Sequence, residues 1–233
     1  MKVVILAGGL GTRLSEYTKT IPKPMVKIKG IPIITYIINH YEKFGFNHFI
    51  IAAGYKKEVI KNYFKKNKFE SNIEVIDTGL KTMTGGRLKR VEKYIDAPFC
   101  LTYGDGVSDI NIENLLEFHK AQNCLATISA IQHAARFGSL DISGARVKSF
   151  QEKPKGDNQW INVGFFVCEP EILNLIDGDQ TILEKDPLEK LANENQLSVF
   201  KHTGFWYAMD TLRDKIYLDE LWRNNNASWK VWK

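Results

Sequence analysis

The stretch Val3-Val4-Ile5-Leu6-Ala7-Gly8-Gly9-Leu10-Gly11-Thr12-Arg13 decides how the rest of the chain reads. Its first five residues form an apolar run of the kind a buried strand requires. The glycines that follow let the backbone approach a ligand closely and turn N–H groups toward an anion. Two familiar phosphate loops do not match: a P-loop ends in Gly-Lys-Ser/Thr, and the dinucleotide fingerprint needs a third glycine where Leu14 stands. The chain instead supplies Arg13 and then Lys23 between Pro22 and Pro24. Glycines, an arginine and a lysine at the carboxyl end of a strand describe a site for a nucleoside triphosphate whose phosphates react.

Outward from this stretch, apolar runs at 49–53, 73–77, 99–103 and 126–131 predict strands. Helical periodicity lies between them near 32–44, 56–66, 85–95 and 111–122, and Gly45 stands where a helix C-cap belongs. Such alternation predicts an α/β fold, a Rossmann-like, mostly parallel mixed sheet with helices on both faces. Ligands of such sheets bind outside the carboxyl ends of the strands, at a topological switch point. The second half is more mixed, with strands expected at 137–142, 145–150, 161–168 and 197–201 and helices near 169–176, 184–194 and 211–223. No repeat or linker divides the chain, so residues 1–233 read as one domain.

The chain has 233 residues and a formal charge of +5, with lysines and acids interspersed. The lysine-rich run 56–66 carries apolar residues at 59, 60, 63 and 64, helical spacing that makes the lysines a solvated face and not a nucleic-acid surface. Three cysteines, Cys100, Cys124 and Cys168, sit in or beside apolar runs and read as reduced core thiols of a cytoplasmic protein. No apolar stretch is long enough for a membrane span. The histidines show neither metal spacing nor a nucleophilic arrangement.

Further segments place reactive side chains at the ends of expected elements. Thr82-Met83-Thr84-Gly85-Gly86-Arg87 opens a helix, as either a nucleotide-binding turn or an N-cap turn for Thr84. Asp105, in Tyr103-Gly104-Asp105-Gly106, reads as a magnesium ligand or as a turn aspartate. Lys153, beside Glu152, reads as a second phosphate-binding point charge or as a hairpin residue. Asn162 and Gly164 lie within a strand, where glycine marks either a bulge or close approach of a ligand. Asp210 reads as the N-cap of the last helix or as a second metal ligand.

Taken together, Gly8 to Leu14, Pro22-Lys23-Pro24-Met25, Thr82 to Arg87, Tyr103 to Asp105, Arg136-Phe137-Gly138, Glu152-Lys153-Pro154 and Met209-Asp210-Thr211 resemble the sugar-1-phosphate nucleotidylyltransferases. Within them, Thr82 to Arg90, Gly204-Phe205-Trp206 and Asp210 to Asp214 are similar to the glucose-1-phosphate cytidylyltransferases, and the likeness runs nearly end to end. The resemblance implies the nucleotide-diphospho-sugar transferase fold and the joining of CTP and a sugar 1-phosphate, with pyrophosphate as the other product. It implies that Arg13 and Lys23 hold the triphosphate and that Asp105 and Asp210 bind Mg2+. It further implies that Lys153 anchors the sugar phosphate, and that Arg13, Lys23, Asp105 and Lys153 are the catalytic set. The nucleotide would lie against Leu6, Ala7, Gly8, Gly9, Gly11, Thr12, Thr82, Gly86 and Arg87. The sugar phosphate would lie against Gly138, Glu152, Asn162 and Gly164. A homo-oligomer is also implied; neither nucleic acid nor membrane is.

The chain departs from the family pattern in three places. Only residues 65–76 connect the helix containing Tyr63 and Phe64 to Asp77, where relatives have a longer stretch. Val163 stands where relatives have glycine, so its isopropyl group fills part of the sugar pocket or points into the core. Gln132 to Ala135 replaces a proline-containing segment. These differences leave a second reading, a CTP-dependent enzyme with another phosphorylated acceptor. Two more distant alternatives are a non-catalytic nucleotide sensor and a glycosyltransferase using a nucleotide-sugar donor.

Overall fold

A computed structural model describes residues 1–134, 139–151 and 155–232. The chain opens with β1 (Val3–Ala7), the one-turn helix α1 (Ser15–Thr18) and a hairpin of β2 (Lys27–Ile28) and β3 (Ile31–Pro32). There follow α2 (Ile33–Lys43), β4 (His48–Ala53), α3 (Lys57–Lys66), β5 (Asn72–Asp77), α4 (Thr84–Arg90) and β6 (Phe99–Tyr103). Next come β7 (Gly106–Ser108), α5 (Ile112–Gln122), β8 (Ala126–Ala134), β9 (Ser139–Ser143), β10 (Arg146–Gln151) and β11 (Lys155–Cys168). The described chain closes with α6 (Asp186–Asn193), β12 (Leu197–Lys201), β13 (Trp206–Ala208) and α7 (Leu212–Arg223).

The central sheet has seven strands in the order β12-β8-β11-β6-β1-β4-β5. β1 runs parallel to β4 and β6, β4 to β5, and β8 to β12, while β11 is antiparallel to both its neighbours. All five residues of β1 are buried, because both faces of the sheet are covered. Val3, Ile5 and Ala7 face Ile34, Ile37 and Tyr41 of α2. Val4 and Leu6 face the opposite way, with Leu88 of α4 and Leu188 and Leu191 of α6. A third cluster joins the β2–β3 hairpin to α7 through Ile28, Tyr36, Met209 and Leu218, and Trp229 of the aromatic tail is 1 % exposed within it.

The expected helix at 85–95 is shorter: α4 ends at Arg90, and a 3-10 turn at Glu92–Tyr94 follows. The helix expected at 169–176 is a 3-10 segment, Pro170–Leu175. Gly45 adopts φ 81° directly after α2, the left-handed conformation that a C-cap needs. The cysteines are free and buried. Among the described residues, no helix is long and apolar enough to cross a membrane.

Candidate active site

Strand order reverses between β1 and β6, because the chain runs from β1 outward to β5 and then returns to the other side of β1. A cavity of about 590 Å3 opens at the carboxyl ends of these two strands. Leu6, Ala7, Gly8, Gly9, Gly11, Thr12 and Arg13 form one wall of it. Gly11 needs its glycine: φ is +65°, and a β-carbon there would press on Thr18 and Lys23.

Three chain segments converge on the phosphate side of this wall. The amide of Gly104 donates to the Leu6 carbonyl at 3.0 Å, which carries Asp105 past the end of β1. β7 and β13 pair antiparallel with Gly106 opposite Ala208, and the Met209 amide donates to the Asp105 carbonyl at 2.9 Å. That ladder sets Asp210 beside Asp105, more than a hundred residues away in sequence. Lys23 lies between them and donates to Asp105 Oδ2 at 2.6 Å and to Asp210 Oδ1 at 2.5 Å. Arg13 Nη1 donates to Asp210 Oδ2 at 2.8 Å. Burial alone would lower the pKa of Lys23, but the charges and hydrogen bonds of Asp105 and Asp210 outweigh it and raise the pKa above the ordinary lysine value.

Asp210 does not cap α7. Thr211 is the N-cap, in a reciprocal capping box with Asp214. The carboxylate of Asp210 is therefore left to Lys23 and Arg13. Nor does Thr84 serve as an N-cap: its hydroxyl donates to Glu184 Oε2 at 2.6 Å and accepts from the Leu183 amide at 3.0 Å.

Thr82, Met83, Thr84 and Arg87 form the opposite wall. Arg87 is 4 % exposed, and Nη1 donates to Thr78 Oγ1 at 2.8 Å and to the Gly79 carbonyl at 2.7 Å. Burial, then the neighbouring Arg90, lower its pKa against the opposing pull of Asp77 and Asp179. Its guanidinium braces the glycine loop from behind. Gly86 is not part of the lining: a β-carbon there would meet Asp179 at 2.5 Å, and its amide donates to the Thr181 carbonyl. Gly86 is thus needed for close packing against residues 178–183.

Tyr103, Asn162, Val163, Trp206 and Ala208 complete the lining. The Tyr103 hydroxyl donates to Glu184, and burial together with that carboxylate's charge pushes its pKa upward. Gly164 has φ +80° at a register shift of β11, and a β-carbon on it would collide with the Tyr103 ring. The bulge at Gly164 thus brings the backbone against the Tyr103 ring. Val163 is 3 % exposed and packs in the core with Phe165 and Val167, so its isopropyl group is a core group that borders the cavity. Gly138, Glu152 and Lys153 lie outside the described residues. Trp206 was not singled out as a site residue; its indole N–H has no hydrogen-bond partner among the described residues and faces Gly106, whose hypothetical β-carbon would lie 3.2 Å from it.

A family profile described as Nucleotidyl transferase matches residues 2–216. The glucose-1-phosphate cytidylyltransferase of Salmonella typhi is 49 % identical over 257 aligned positions, covering all of both chains, against 233 residues here. The probable glucose-1-phosphate cytidylyltransferase of Bacillus subtilis is 38 % identical, again over the whole of both chains. Among solved structures, HddC from Yersinia pseudotuberculosis superposes with a TM-score of 0.75 at 30 % identity, covering 95 % of this chain and 99 % of that one. A UDP-glucose pyrophosphorylase complexed with UDP-glucose, at 17 % identity and a TM-score of 0.76 over 96 % of this chain and 98 % of that one, shares the fold. The chain belongs to the nucleotidyl transferase family.

Proposed function

We propose that this chain joins CTP to a sugar 1-phosphate, α-D-glucose 1-phosphate by preference, giving a CDP-sugar and pyrophosphate. The observation that carries the reading is the meeting of Arg13, Lys23, Asp105 and Asp210 beside the Gly8–Gly11 backbone. A triphosphate reacting at its α-phosphorus needs cations and oriented N–H groups, and no protein nucleophile. The choice of CTP and glucose 1-phosphate is supported by the full-length likeness to glucose-1-phosphate cytidylyltransferases.

In this reading an oxygen of the sugar phosphate forms the new bond to the α-phosphorus, and pyrophosphate leaves from the opposite side with the electron pair of the broken bond. Lys23, held protonated by its raised pKa, contributes a fixed positive charge beside the phosphates. Arg13, 72 % exposed at its side chain, offers further donors at the mouth of the cavity. The anchoring of the sugar phosphate by Lys153, with Glu152 and Gly138, rests on the resemblance. Asn162, which lines the cavity, accepts from the Gly164 amide through Oδ1 at 2.8 Å and is also hydrogen-bonded to Tyr103.

Mg2+ fits this donor set. Asp105 and Asp210 already converge on one cationic group, and each is a little over a quarter exposed, which leaves room for water or phosphate oxygens. Magnesium uses few protein ligands, so two carboxylates suffice, and no larger cluster of ligating side chains exists among the described residues. When bound, the ion neutralises charge on the phosphate oxygens.

Residues 1–233 form one catalytic domain in this account, supported by a single sheet that draws strands from Val3 to Lys201. Free buried cysteines support a cytoplasmic site of action. Assembly into a homo-oligomer is supported by the β9–β10 hairpin, whose paired Leu140–Phe150 and Ile142–Val147 leave an apolar face exposed.

The acceptor is tested by fixing CTP and Mg2+ and offering glucose, galactose and mannose 1-phosphates with a set of non-sugar phosphates, products being identified by mass. CDP-glucose as the main product supports the reading. A cytidylylated non-sugar phosphate, with no hexose product, would replace it by the second reading.

A further inference from the structure

Between the β2–β3 hairpin, α7 and the α1 segment lies a second cavity of about 360 Å3 that shares no lining residue with the catalytic one. That volume falls in the range of small-molecule sites, about 300–1,000 Å3. Its walls are basic. Lys27 and Lys29 of the hairpin and Arg223 at the end of α7 line it, and among the described residues none of these three side chains has a carboxylate partner. Lys215 of α7 also lines it, paired with Asp219 at 2.5 Å. Asp219 is the sole acid of the lining and is already engaged on both oxygens: one takes the Lys215 ammonium, the other the Lys29 amide at 2.7 Å. The lining thus carries an uncompensated excess of positive charge.

The hairpin turn holds this arrangement. Lys29 and Gly30 have φ of 47° and 84°, the left-handed pair of a tight two-residue turn, and the bond from the Lys29 amide to Asp219 ties that turn to α7. Tyr17 and Ile21 supply an apolar flank, with the Lys215 ammonium 5.7 Å from the centre of the Tyr17 ring. Cations on one side and an aromatic and an aliphatic group on the other suit a phosphoryl group carried on a small carbon skeleton.

We propose that this cavity is a second ligand site, distinct from the catalytic one, for a phosphorylated small anion. Its position gives it a route to the reaction. Tyr17 follows Arg13 on the same loop and turn, Lys27 follows Lys23, and Lys215 follows Asp210. The three segments that meet at the phosphate end of the catalytic cavity therefore continue directly into the walls of this one. Drawing Lys27, Lys29 and Arg223 toward one anion pulls on the same segments that set Arg13, Lys23 and Asp210.

The site does not depend on the proposed reaction, and its test is a binding measurement. The whole chain, metal-free and saturated with CTP, is titrated calorimetrically with inorganic phosphate, pyrophosphate or glucose 1-phosphate. The same titrations are run on Lys27→Ala/Arg223→Ala, both exposed positions whose loss leaves the core intact, with circular dichroism confirming the fold. At least one probe is expected to bind the wild type and to weaken tenfold or more in the double variant, and raised salt should weaken it in the wild type. A larger loss of affinity in the double variant for glucose 1-phosphate than for free phosphate identifies a phosphate ester as the occupant of this cavity; the reverse identifies the free ion. No binding of any probe, or equal affinity in wild type and double variant, overturns the proposal. Failure of CTP to react with any acceptor would overturn the catalytic reading and leave this comparison standing.

Discussion

The guanidinium of Arg87 fills the space directly behind Gly8, where a β-carbon would collide with it. The same guanidinium blocks a β-carbon on Gly54, so one buried arginine underlies two backbone turns at once. The end of a long side chain ordinarily gives way cheaply, but this one is held by Thr78 and the Gly79 carbonyl. Gly8→Ala must break those bonds, at a cost of about 2 kcal/mol in unfolding free energy. In an Arg87→Ala background the added methyl no longer meets the guanidinium. A double-mutant cycle by chemical denaturation should then give a coupling of about 1–2 kcal/mol, with the double variant less destabilised than the sum of the singles. Additive effects would contradict the bracing role.

Lys23 keeps Asp105 and Asp210 from facing each other as bare charges. Lys23→Met removes a cation that is only 10 % exposed at its side chain and leaves both carboxylates without it. Pyrophosphate release should fall about 10²–10³-fold, the loss typical of removing one preorganised charge-stabilising group. Steady-state kinetics measure this, with circular dichroism to confirm that the variant folds. Retained turnover would remove Lys23 from the catalytic set.

Tyr103 and Gly164 are fitted to each other across β6 and β11. Gly164→Ala places a β-carbon in the ring and forces a side chain into the left-handed region at φ +80°, so it should destabilise by about 2 kcal/mol or more. Tyr103→Phe keeps the ring and loses the hydrogen bond to Glu184, and should cost about 1 kcal/mol. Thermal denaturation separates the two: the glycine variant should melt well below the tyrosine variant.

His40 makes stability fall in acid. The ring is 3 % exposed among Tyr41, Phe44 and Phe165, and neither nitrogen makes a well-formed hydrogen bond. Burial pushes its pKa from 6.5 down to about 4, against weaker opposing pulls from the Ile110 backbone and Asp109; His202 adds to the lowering. The unfolded chain therefore takes up a proton near pH 6.5 while the fold stays neutral. The stability from this group is whole above that value and is lost as pH falls toward 4, by about 3 kcal/mol in all. His40→Phe should flatten that part of the profile when melting temperature is followed from pH 7 to 4. Parallel profiles for wild type and variant would contradict it.

Much of this architecture was legible because the sheet is buried on both faces. β1, β4 and β6 are largely apolar runs whose ends coincide with glycines or polar residues, the edge strand β5 shows a shorter and interrupted one, and periodicity sufficed for α2, α3, α5 and α7. Glycine content misled at α4, where Gly85 and Gly86 serve contact with residues 178–183 and the helix ends early. The β2–β3 hairpin and the long-range β7–β13 pair were not legible, since strands of two or three residues leave no periodic trace. With β7–β13 unseen, the reason for Asp210 standing beside Asp105 was hidden as well. The motif gave the pair, but the ladder from Gly106 to Ala208 brings them together. Glu184 escaped notice for a similar reason, contributing through a contact to Tyr103 that is remote in sequence, and Trp206, read only within the motif Gly204-Phe205-Trp206, stands against Gly106 across the same ladder.

The most direct measurement of the central claim is pyrophosphate release with Mg2+, glucose 1-phosphate and each of CTP, UTP, dTTP, ATP and GTP in turn, for wild type and Asp210→Ala. The account predicts release with CTP well above the other four, and its near-complete loss in the variant while the protein remains folded. Equal release with all five triphosphates, or undiminished release in Asp210→Ala, would contradict it.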